Sequence, residues 1–485
     1  TGGKTNPPPP PRLMVEVVEG GERVEAEVTV VERATGRARA IGSSFGPKLD
    51  INRRLTCEAP PKGEVFVVAR LGGRSAVSSV AVEGETIARL DLARPADRET
   101  LREVEKTLAD RFSADPASKE AAARILAEMP WSDAIRDMAW QAYKKSPLHG
   151  PLRQEYDDRK VVTADRESPY LWRHVGERPE SGWALVIAMH GGGGAPRAVN
   201  DSQWKGMFER YYKDHPEAGG YVYLALRAPN DEWNGFYDDA IGPLIERLIL
   251  QFVLFGDVDP DRVCILGASH GGYGAFVIGP KLPDRFAAVH ASASAPTDGE
   301  TRGENLRNVR FTFMVGENDT AYGRADRCQA FARKVEGWRQ EYGGYPGGFE
   351  WKPGVGHSVP DRDKVAEMLQ AGPRNVRPDR VVWFQTDGVL KYSYWVEAEN
   401  PAEGASVVAT LQGNAIELQT SGPPRLAFWL EPGQVDLDKP LTVKVGGQSQ
   451  EFRLRPDPEA YCRGLIDRGD PRLATPIRIA VAGKD

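Results

Sequence analysis

The chain has 485 residues, a length that corresponds to about three domains of ordinary size. It is 40% hydrophobic and 27% charged, with aromatic residues along its whole length, which excludes a mainly disordered chain. Its formal net charge is -6, from 63 basic and 69 acidic residues, so it lacks the basic balance that marks nucleic-acid-binding proteins.

The absence of certain sequence motifs also argues against several kinds of site. The longest apolar runs, Trp183–Met189 and residues 248–255, are far shorter than the ~20 residues of a membrane span. None of the seven histidines forms a His-x-His or HExxH pair, and no dinucleotide-binding glycine fingerprint is present. The four cysteines form no C-x-x-C pair. Cys264 lies in an apolar run typical of a buried residue, and a disulfide between two of the other three cysteines remains open. The sequence therefore predicts no metal site and no cofactor.

Residues 1–12 begin with Thr and contain five consecutive prolines. Such a run is typical of a stiff, extended polyproline II segment, and we interpret it as a proline-rich tether. Exported proteins often keep a tether of this kind after signal removal, so the sequence favours a secreted or periplasmic location.

Residues 13–94 alternate apolar and polar positions, with many valines and with glycine and proline between the runs. A period of two is typical of strands with one buried face, and it predicts a small antiparallel β module. In residues 95–155 the apolar positions recur at helical spacing, as in Leu101, Val104 and Leu108. These residues are predicted to form a helical segment.

Residues 156–372 alternate short apolar runs with amphipathic stretches. The predicted strands are Trp183–Met189, Tyr221–Leu226, 263–266, 286–291 and 309–315, and the predicted helices are 199–213, 240–255, 272–278, 324–342 and 361–370. The alternation predicts an α/β domain with a doubly wound, mostly parallel sheet and functional loops after the carboxyl ends of the strands. Residues 373–485 are again rich in Val, Thr and Gly, which predicts a β-sandwich-like module.

The pattern Gly-x-Ser-x-Gly, typical of a nucleophilic serine on a strand-to-helix turn, occurs twice. Around Ser44 no buried strand precedes the motif and Pro47 follows it, so a loop is predicted. Around Ser269 an apolar run precedes the motif and a helix-compatible sequence follows. Gly267 and Gly271 would let this strand and helix approach closely. Ser269 is therefore the predicted nucleophile.

Four glycines, residues 191–194, follow His190 at the end of the strand Trp183–Met189. Glycines present backbone N–H groups without side-chain obstruction, as an oxyanion hole requires. The predicted donors are the N–H groups of Gly191, Gly192, Gly193 and His270. A phosphate loop is disfavoured, because no Gly-Lys-Ser/Thr follows and Pro196 interrupts the helix start.

The base and the orienting acid are expected downstream of the nucleophile. His357 lies in a glycine-rich loop and is favoured over His290, which lies inside a predicted strand and is typical of a packed histidine. In the loop after residues 309–315, Glu317 and Asp319 both qualify as the acid that fixes the imidazole tautomer. Asp319 is favoured because the acid usually follows a short turn beyond the strand end, and Glu317 stays the alternative.

Taken in this order, the glycine loop, serine turn, acid and histidine resemble the α/β-hydrolase superfamily. Residues 259–263, leading into 267–274, are similar to the group of phospholipase/carboxylesterases, feruloyl esterases and polyhydroxybutyrate-depolymerase-like enzymes. The resemblance covers about residues 161–370, under half of the chain. It implies the triad Ser269, Asp319 and His357, and a serine hydrolase that cleaves carboxylic esters through an acyl-enzyme. His270 departs from the pattern, since relatives often carry Met, Gln or Tyr there.

The segment after Tyr221–Leu226 contains Trp233 and Phe236, which are predicted to line the substrate pocket, with core packing as the alternative. No long insertion separates residues 286–291 from 309–315, so no large lid is expected. An open site would suit a bulky or polymer-linked ester.

Two other functions remain open. The sequence Gly-x-Ser-x-Gly-Gly-Tyr also suits a serine peptidase of the prolyl-oligopeptidase type, although residues 13–94 show no propeller repeats. A non-catalytic protein would use its β modules to bind a glycan or a partner. The expected partner is a small-molecule or polymer-linked ester, with no nucleic acid and an undetermined oligomeric state.

Overall fold

A computed structural model describes residues 10–164, 166–422 and 425–481. Most of the predicted proline tether, residues 1–9, lies outside the described residues. The predicted division at residues 94, 155 and 372 stays a prediction, and the elements are given below in chain order.

Eight strands form two four-stranded sheets at the start of the chain. They are β1 (Arg12–Glu19), β2 (Glu22–Arg23), β3 (Glu27–Glu32), β4 (Ala38–Ser43), β5 (Leu55–Cys57), β6 (Gly63–Leu71), β7 (Arg74–Val82) and β8 (Glu85–Asp91). One sheet joins β2, β1 and β5, with β8 on β1, and the other has the order β4-β3-β6-β7. Their facing residues, such as Leu13, Val28 and Val67, share one core. The β1–β8 pair is parallel, contrary to the antiparallel prediction, because alternation reports the buried face and not the strand direction.

Four helices follow: α1 (Arg98–Arg111), α2 (Pro116–Glu128), α3 (Asp133–Lys144) and α4 (Gly150–Asp157). The first three begin at capping side chains, Asp97, Asp115 and Ser132, which accept a hydrogen bond from the first turn. Their apolar residues pack against the outer face of the β3–β6–β7 sheet, where Phe66 is completely buried.

The largest sheet has eight strands: β9 (Lys160–Val162), β10 (Glu167–Val175), β11 (Trp183–Met189), β12 (Tyr221–Leu226), β13 (Val258–Ala268), β14 (Ala288–Ser292), β15 (Arg310–Gly316) and β16 (Gly347–Lys352). Their order is β16-β15-β14-β13-β11-β12-β10-β9, and β10 is the one strand of this sheet that runs opposite to the others. Strands β9 and β10 were not predicted from the sequence. The prediction of a mostly parallel sheet is confirmed.

Helices cover both faces of this sheet: α5 (Arg197–Gly206), α6 (Ile241–Phe255), α7 (His270–Lys281), α8 (Arg324–Tyr342) and α9 (Lys364–Leu369). In β11, Leu185 and Ile187 face the core shared with α6, α7 and α8. Val186 and Ala188 face the opposite core, which includes Val365 of α9. The parallel register brings the carboxyl ends of β11, β13, β14 and β15 to one edge of the sheet.

The remaining chain forms two more sheets and one helix. The elements are β17 (Arg380–Phe384), β18 (Tyr392–Ser393), β19 (Val396–Ala398), β20 (Ser406–Gln412), β21 (Ala415–Ser421), β22 (Leu426–Leu430), β23 (Leu441–Val445), β24 (Gln448–Phe452), α10 (Pro458–Arg468) and β25 (Ile477–Val481). The sheets β17-β20-β21-β23-β24 and β18-β19-β22-β25 enclose a common core. Helix α10 was not predicted from the sequence, although Asp457 caps its start and Gly469 ends it in a left-handed conformation.

All four cysteines are buried and free, so the disulfide alternative is not realised. Across the described ranges, no helix combines the length and the apolar character that crossing a bilayer requires.

Candidate active site

Ser269 is the one residue between the end of β13 and the start of α7. Its φ of 55° and ψ of -117° are strained for a residue with a side chain. Such strain is typical of a sharp strand-to-helix turn that carries a nucleophilic serine. A Cβ atom on Gly267 would lie 2.3 Å from the carbonyl carbon of Gly271, and one on Gly271 would lie 2.2 Å from the Met189 oxygen. Only glycine fits these two positions, and the turn depends on them.

The three predicted triad residues meet at the carboxyl edge of the sheet. Nε2 of His357 lies 3.0 Å from Oγ of Ser269, and Nδ1 of His357 lies 2.9 Å from Oδ2 of Asp319. Asp319 follows β15 and is buried, whereas the His357 side chain, after β16, is 47% exposed. In the tautomer that suits both contacts, Nδ1–H donates to Asp319 and Nε2 accepts from the serine hydroxyl.

Arg324, at the start of α8, was missed by the sequence analysis. Its Nη1 donates to Oδ1 of Asp319 at 2.9 Å, and its Nε donates to the hydroxyl of Tyr273 at 3.1 Å. This buried guanidinium therefore holds the second carboxylate oxygen of Asp319, and its Nη1 lies 3.4 Å from Nδ1 of His357. Glu317 accepts a hydrogen bond from the N–H of Gly354 instead and does not face His357. An arginine five residues after an aspartate carries no sequence signal of such a role.

The glycine loop is held by the side chain of His190. Its Nε2 accepts from the N–H of Ala228 at 3.0 Å, so its Nδ1 carries the proton that faces the Gly191 oxygen at 2.6 Å. Burial lowers the pKa of His190 to about 3, so the ring is neutral at pH 7. The His190 oxygen also accepts from the N–H of Gly271 and ties the loop to α7.

The predicted oxyanion donors are not equivalent. The N–H of Gly193 donates to Oδ1 of Asn200 at 3.0 Å, so the prediction that it faces an oxyanion is wrong. Within the described residues, the N–H groups of Gly191, Gly192 and His270 have no acceptor. A Cβ atom on Gly191 would lie 3.5 Å from Cβ of Ser269, which shows how closely this loop approaches the turn. The first N–H groups of α7 add the positive end of a helix dipole.

The two predicted pocket aromatics differ in location. Phe236 is fully buried, with its ring centroid 5.2 Å from His190 and 5.0 Å from His270, so it is a core residue and not a pocket residue. Trp233 is partly exposed, 5.8 Å from the ring of Tyr322, and its carbonyl oxygen lies 2.8 Å from Nε2 of His270. Burial lowers the pKa of His270 to about 4. The sequence of this loop did not show which of the two aromatic residues is buried in the core and which is partly exposed.

A cleft of about 620 Å³ opens beside Ser269, and we call it the serine cleft. It is lined by Gly191, Gly192, Ser202, Gln203, Gly206, Met207, Arg210, Tyr211, Ala268, Ser269, Ala293, His357, Ser358, Val359, Asp361 and Arg362. Neither Trp233 nor Phe236 lines it. Most of these side chains are polar, which the sequence analysis did not anticipate.

His290, the rejected base candidate, is fully buried in β14. Its ring nitrogens lie 2.7 Å from Oγ1 of Thr312 and 2.8 Å from Oγ of Ser292, and burial lowers its pKa to about 3. Ser44, of the other serine motif, donates to the Val24 oxygen and accepts from the N–H of Ala26 in a buried loop. The side chains of His290 and Ser44 thus have other hydrogen-bond partners, and neither residue lines the serine cleft.

The strand order, the single reversed strand and the serine turn after β13 are those of the α/β-hydrolase fold. The resemblance found in the sequence is thus confirmed as a fold. No family model and no curated protein sequence matches the chain.

Solved structures that match are distant. A thermostable esterase is 13% identical over 75% of this chain and 100% of that chain, with a TM-score of 0.35. A ferulic acid esterase is 17% identical over 42% and 98% of the two chains, with a TM-score of 0.29. A dipeptidyl aminopeptidase IV-type protein from Bacteroides ovatus is 14% identical over 44% of this chain, with a TM-score of 0.33. The chain spans 34% of the length of that last protein.

Proposed function

We propose that the protein is a serine hydrolase that cleaves carboxylic esters through an acyl-enzyme. The observation that carries this proposal is the continuous hydrogen-bonded series from Ser269 through His357 to Asp319, at 3.0 and 2.9 Å. The strained turn that presents Ser269 beside unpartnered N–H groups supports the same conclusion.

In the proposed reaction, Oγ of Ser269 attacks the ester carbonyl while Nε2 of His357 takes its proton. The N–H groups of Gly191, Gly192 and His270 stabilise the negative charge that develops on the carbonyl oxygen. Asp319 keeps the imidazole in place and stabilises its positive charge. His357 then gives the proton to the leaving alkoxide, and an acyl-enzyme remains.

Water completes the cycle. His357 takes a proton from a water molecule that attacks the acyl-enzyme. When the second tetrahedral intermediate collapses to the acid, His357 returns this proton to Oγ of Ser269. The wide cleft and the exposed imidazole support a substrate whose alcohol or acyl part is bulky or polymer-linked.

The test is hydrolysis of p-nitrophenyl acetate and butyrate by the full chain and by Ser269→Ala. We expect turnover to fall by about 10,000-fold or more in the variant, because the nucleophile is absent, while circular dichroism stays unchanged. Ser44→Ala is the matched control and is expected to keep wild-type turnover. A fluorophosphonate should label the wild type at Ser269.

Full turnover in Ser269→Ala would contradict the proposal. Cleavage of a chromogenic peptide without ester turnover would favour the peptidase alternative, and inactivity on both substrates would favour a binding protein.

A further inference from the structure

Two arginines, Arg210 and Arg362, are among the residues that line the serine cleft. Arg210 belongs to a π-helical turn, Met207–Tyr211, that continues α5, and Arg362 follows the His357 loop. Single π-helical turns are rare and frequently occur at functional sites. This turn places Arg210 at the wall of the cleft that holds the proposed nucleophile.

The guanidinium of Arg362 is anchored but not neutralised. Its Nε donates to the carbonyl oxygen of Tyr211 at 3.2 Å, and its Nη2 donates to that of Arg210 at 2.9 Å. In the part of the chain that the structure describes, no carboxylate lies within ion-pair distance of Arg362. It therefore braces the π-helical turn and keeps its full charge at the cleft.

Arg210 is equally free of a strong partner. Its nearest carboxylate is Glu209, 3.7 Å away and without a hydrogen bond, and its side chain is 74% exposed. A Cβ atom on Gly206 would lie 3.5 Å from Nη2 of Arg210. Because Gly206 and Arg210 both line the cleft, this solvent-exposed guanidinium lies beside the cleft wall.

Other charged side chains close to these arginines in the sequence already have partners. Lys213 pairs with Asp363 at 2.8 Å, and Lys364 pairs with Glu350 at 2.5 Å. Asp361 lies in the cleft wall and accepts from the Tyr211 hydroxyl at 3.2 Å, and burial raises its pKa. Among the side chains that line the cleft, the two guanidinium groups of Arg210 and Arg362 thus outnumber the one carboxylate, that of Asp361, in a protein whose net charge is -6.

We propose that the serine cleft takes esters that carry a second, negatively charged carboxylate, which Arg210 and Arg362 bind while Ser269 attacks the ester carbon. This inference rests on the proposed function. Guanidinium groups stay charged at every relevant pH, and their planar donors match a carboxylate in two parallel hydrogen bonds. The substrate class is therefore a monoester of a dicarboxylic acid or an ester of an acidic alcohol.

The experiment compares two pairs of esters that differ only in one carboxylate. Mono-p-nitrophenyl glutarate against p-nitrophenyl pentanoate tests the acyl side, and p-acetoxybenzoate against p-tolyl acetate tests the alcohol side. Each kcat/KM is divided by the rate of alkaline hydrolysis of the same ester. We expect the charged member of one pair to be favoured about tenfold, and the advantage to shrink in high salt.

In Arg210→Gln the charged-to-neutral ratio of that pair is expected to fall about tenfold, through a higher KM. Arg197→Gln is the matched control, because Arg197 is an exposed arginine of α5 outside the cleft, and it should keep the wild-type ratio. No preference in either pair, or the same ratio in Arg210→Gln, would overturn this inference while neutral-ester turnover upholds the proposed function. Lack of turnover on all four esters would overturn both.

Discussion

At the scale of single residues, the carboxylate of Asp319 is held on both oxygens. One oxygen faces His357 and the other accepts from Arg324, so the carboxylate cannot turn without losing a buried charged hydrogen bond. Glu317 is two residues away on the same loop, yet its carboxylate bonds the backbone of Gly354. The choice between these acids depends on where the loop directs each side chain.

Asp319→Asn tests this difference. We expect kcat on p-nitrophenyl butyrate to fall by about 10,000-fold with a smaller change in KM, because an amide does not hold the required imidazole tautomer. Glu317→Gln is the matched control and is expected to keep most of the activity. The reverse order of the two variants would mean that Glu317 is the orienting acid.

At the scale of elements, the serine turn depends on close contact between α7 and β11. Gly271 in the first turn of α7 has no room for a side chain, since its Cβ would meet the Met189 oxygen at 2.2 Å. A Cβ atom on Gly337, inside α8, would have nothing within 4 Å. A side chain is therefore excluded by close packing at Gly271, whereas there is open space for one at Gly337.

We expect Gly271→Ala to lower the free energy of unfolding by about 1 to 3 kcal/mol, because the helix must shift away from the strand. Gly337→Ala is expected to raise it by about 0.5 to 1 kcal/mol, because alanine loses less backbone entropy in a helix. Urea unfolding followed by circular dichroism measures both. Equal effects of the two substitutions would contradict the close approach at Gly271.

At the scale of the whole molecule, buried ion pairs join the segments that follow α7 and α9 to the C-terminal part of the chain. Asp470 contacts Arg374 at 2.7 Å and Arg285 at 3.4 Å, and all three side chains are almost fully buried. Burial opposes ionisation of Asp470, but Arg374 and Arg285 outweigh it and lower its pKa to about 2. A second pair, Arg468 with Asp284, lies beside this cluster.

Asp470→Asn should therefore lower the free energy of unfolding by about 3 to 5 kcal/mol at pH 7, because two buried arginines lose their carboxylate. The folded pKa is below the ordinary value of about 3.9, so the stabilisation is present above that pH and is lost as the pH falls toward 2. Urea unfolding at pH 7, 5 and 3 measures the difference between variant and wild type. Asp133→Asn, at a 98% exposed side chain, is the control; a difference that stays constant down to pH 3 would contradict this account.

Local pattern was enough to predict much of the fold. The apolar runs of β11 and β12 are buried on both faces, so their composition alone marks them as central strands. Helix α10 was not predicted because the residues around it in the chain form strands, although its capping residues can be recognised in the sequence. The parallel direction of β8 relative to β1 was not predicted, because period-two alternation is the same in parallel and antiparallel pairs.

By itself, the sequence determined the positions of the serine turn, the glycine loop and the histidine loop, because each depends on residues that are adjacent in the chain. Only the tertiary structure decided which groups meet: Asp319 and not Glu317, Phe236 in the core, Gly193 bonded to Asn200, and Arg324 and Arg210 beside the cleft. Backbone turns are set by steric limits on neighbouring residues, whereas side-chain partners come from strands and helices that are far apart in the chain and adjacent in space.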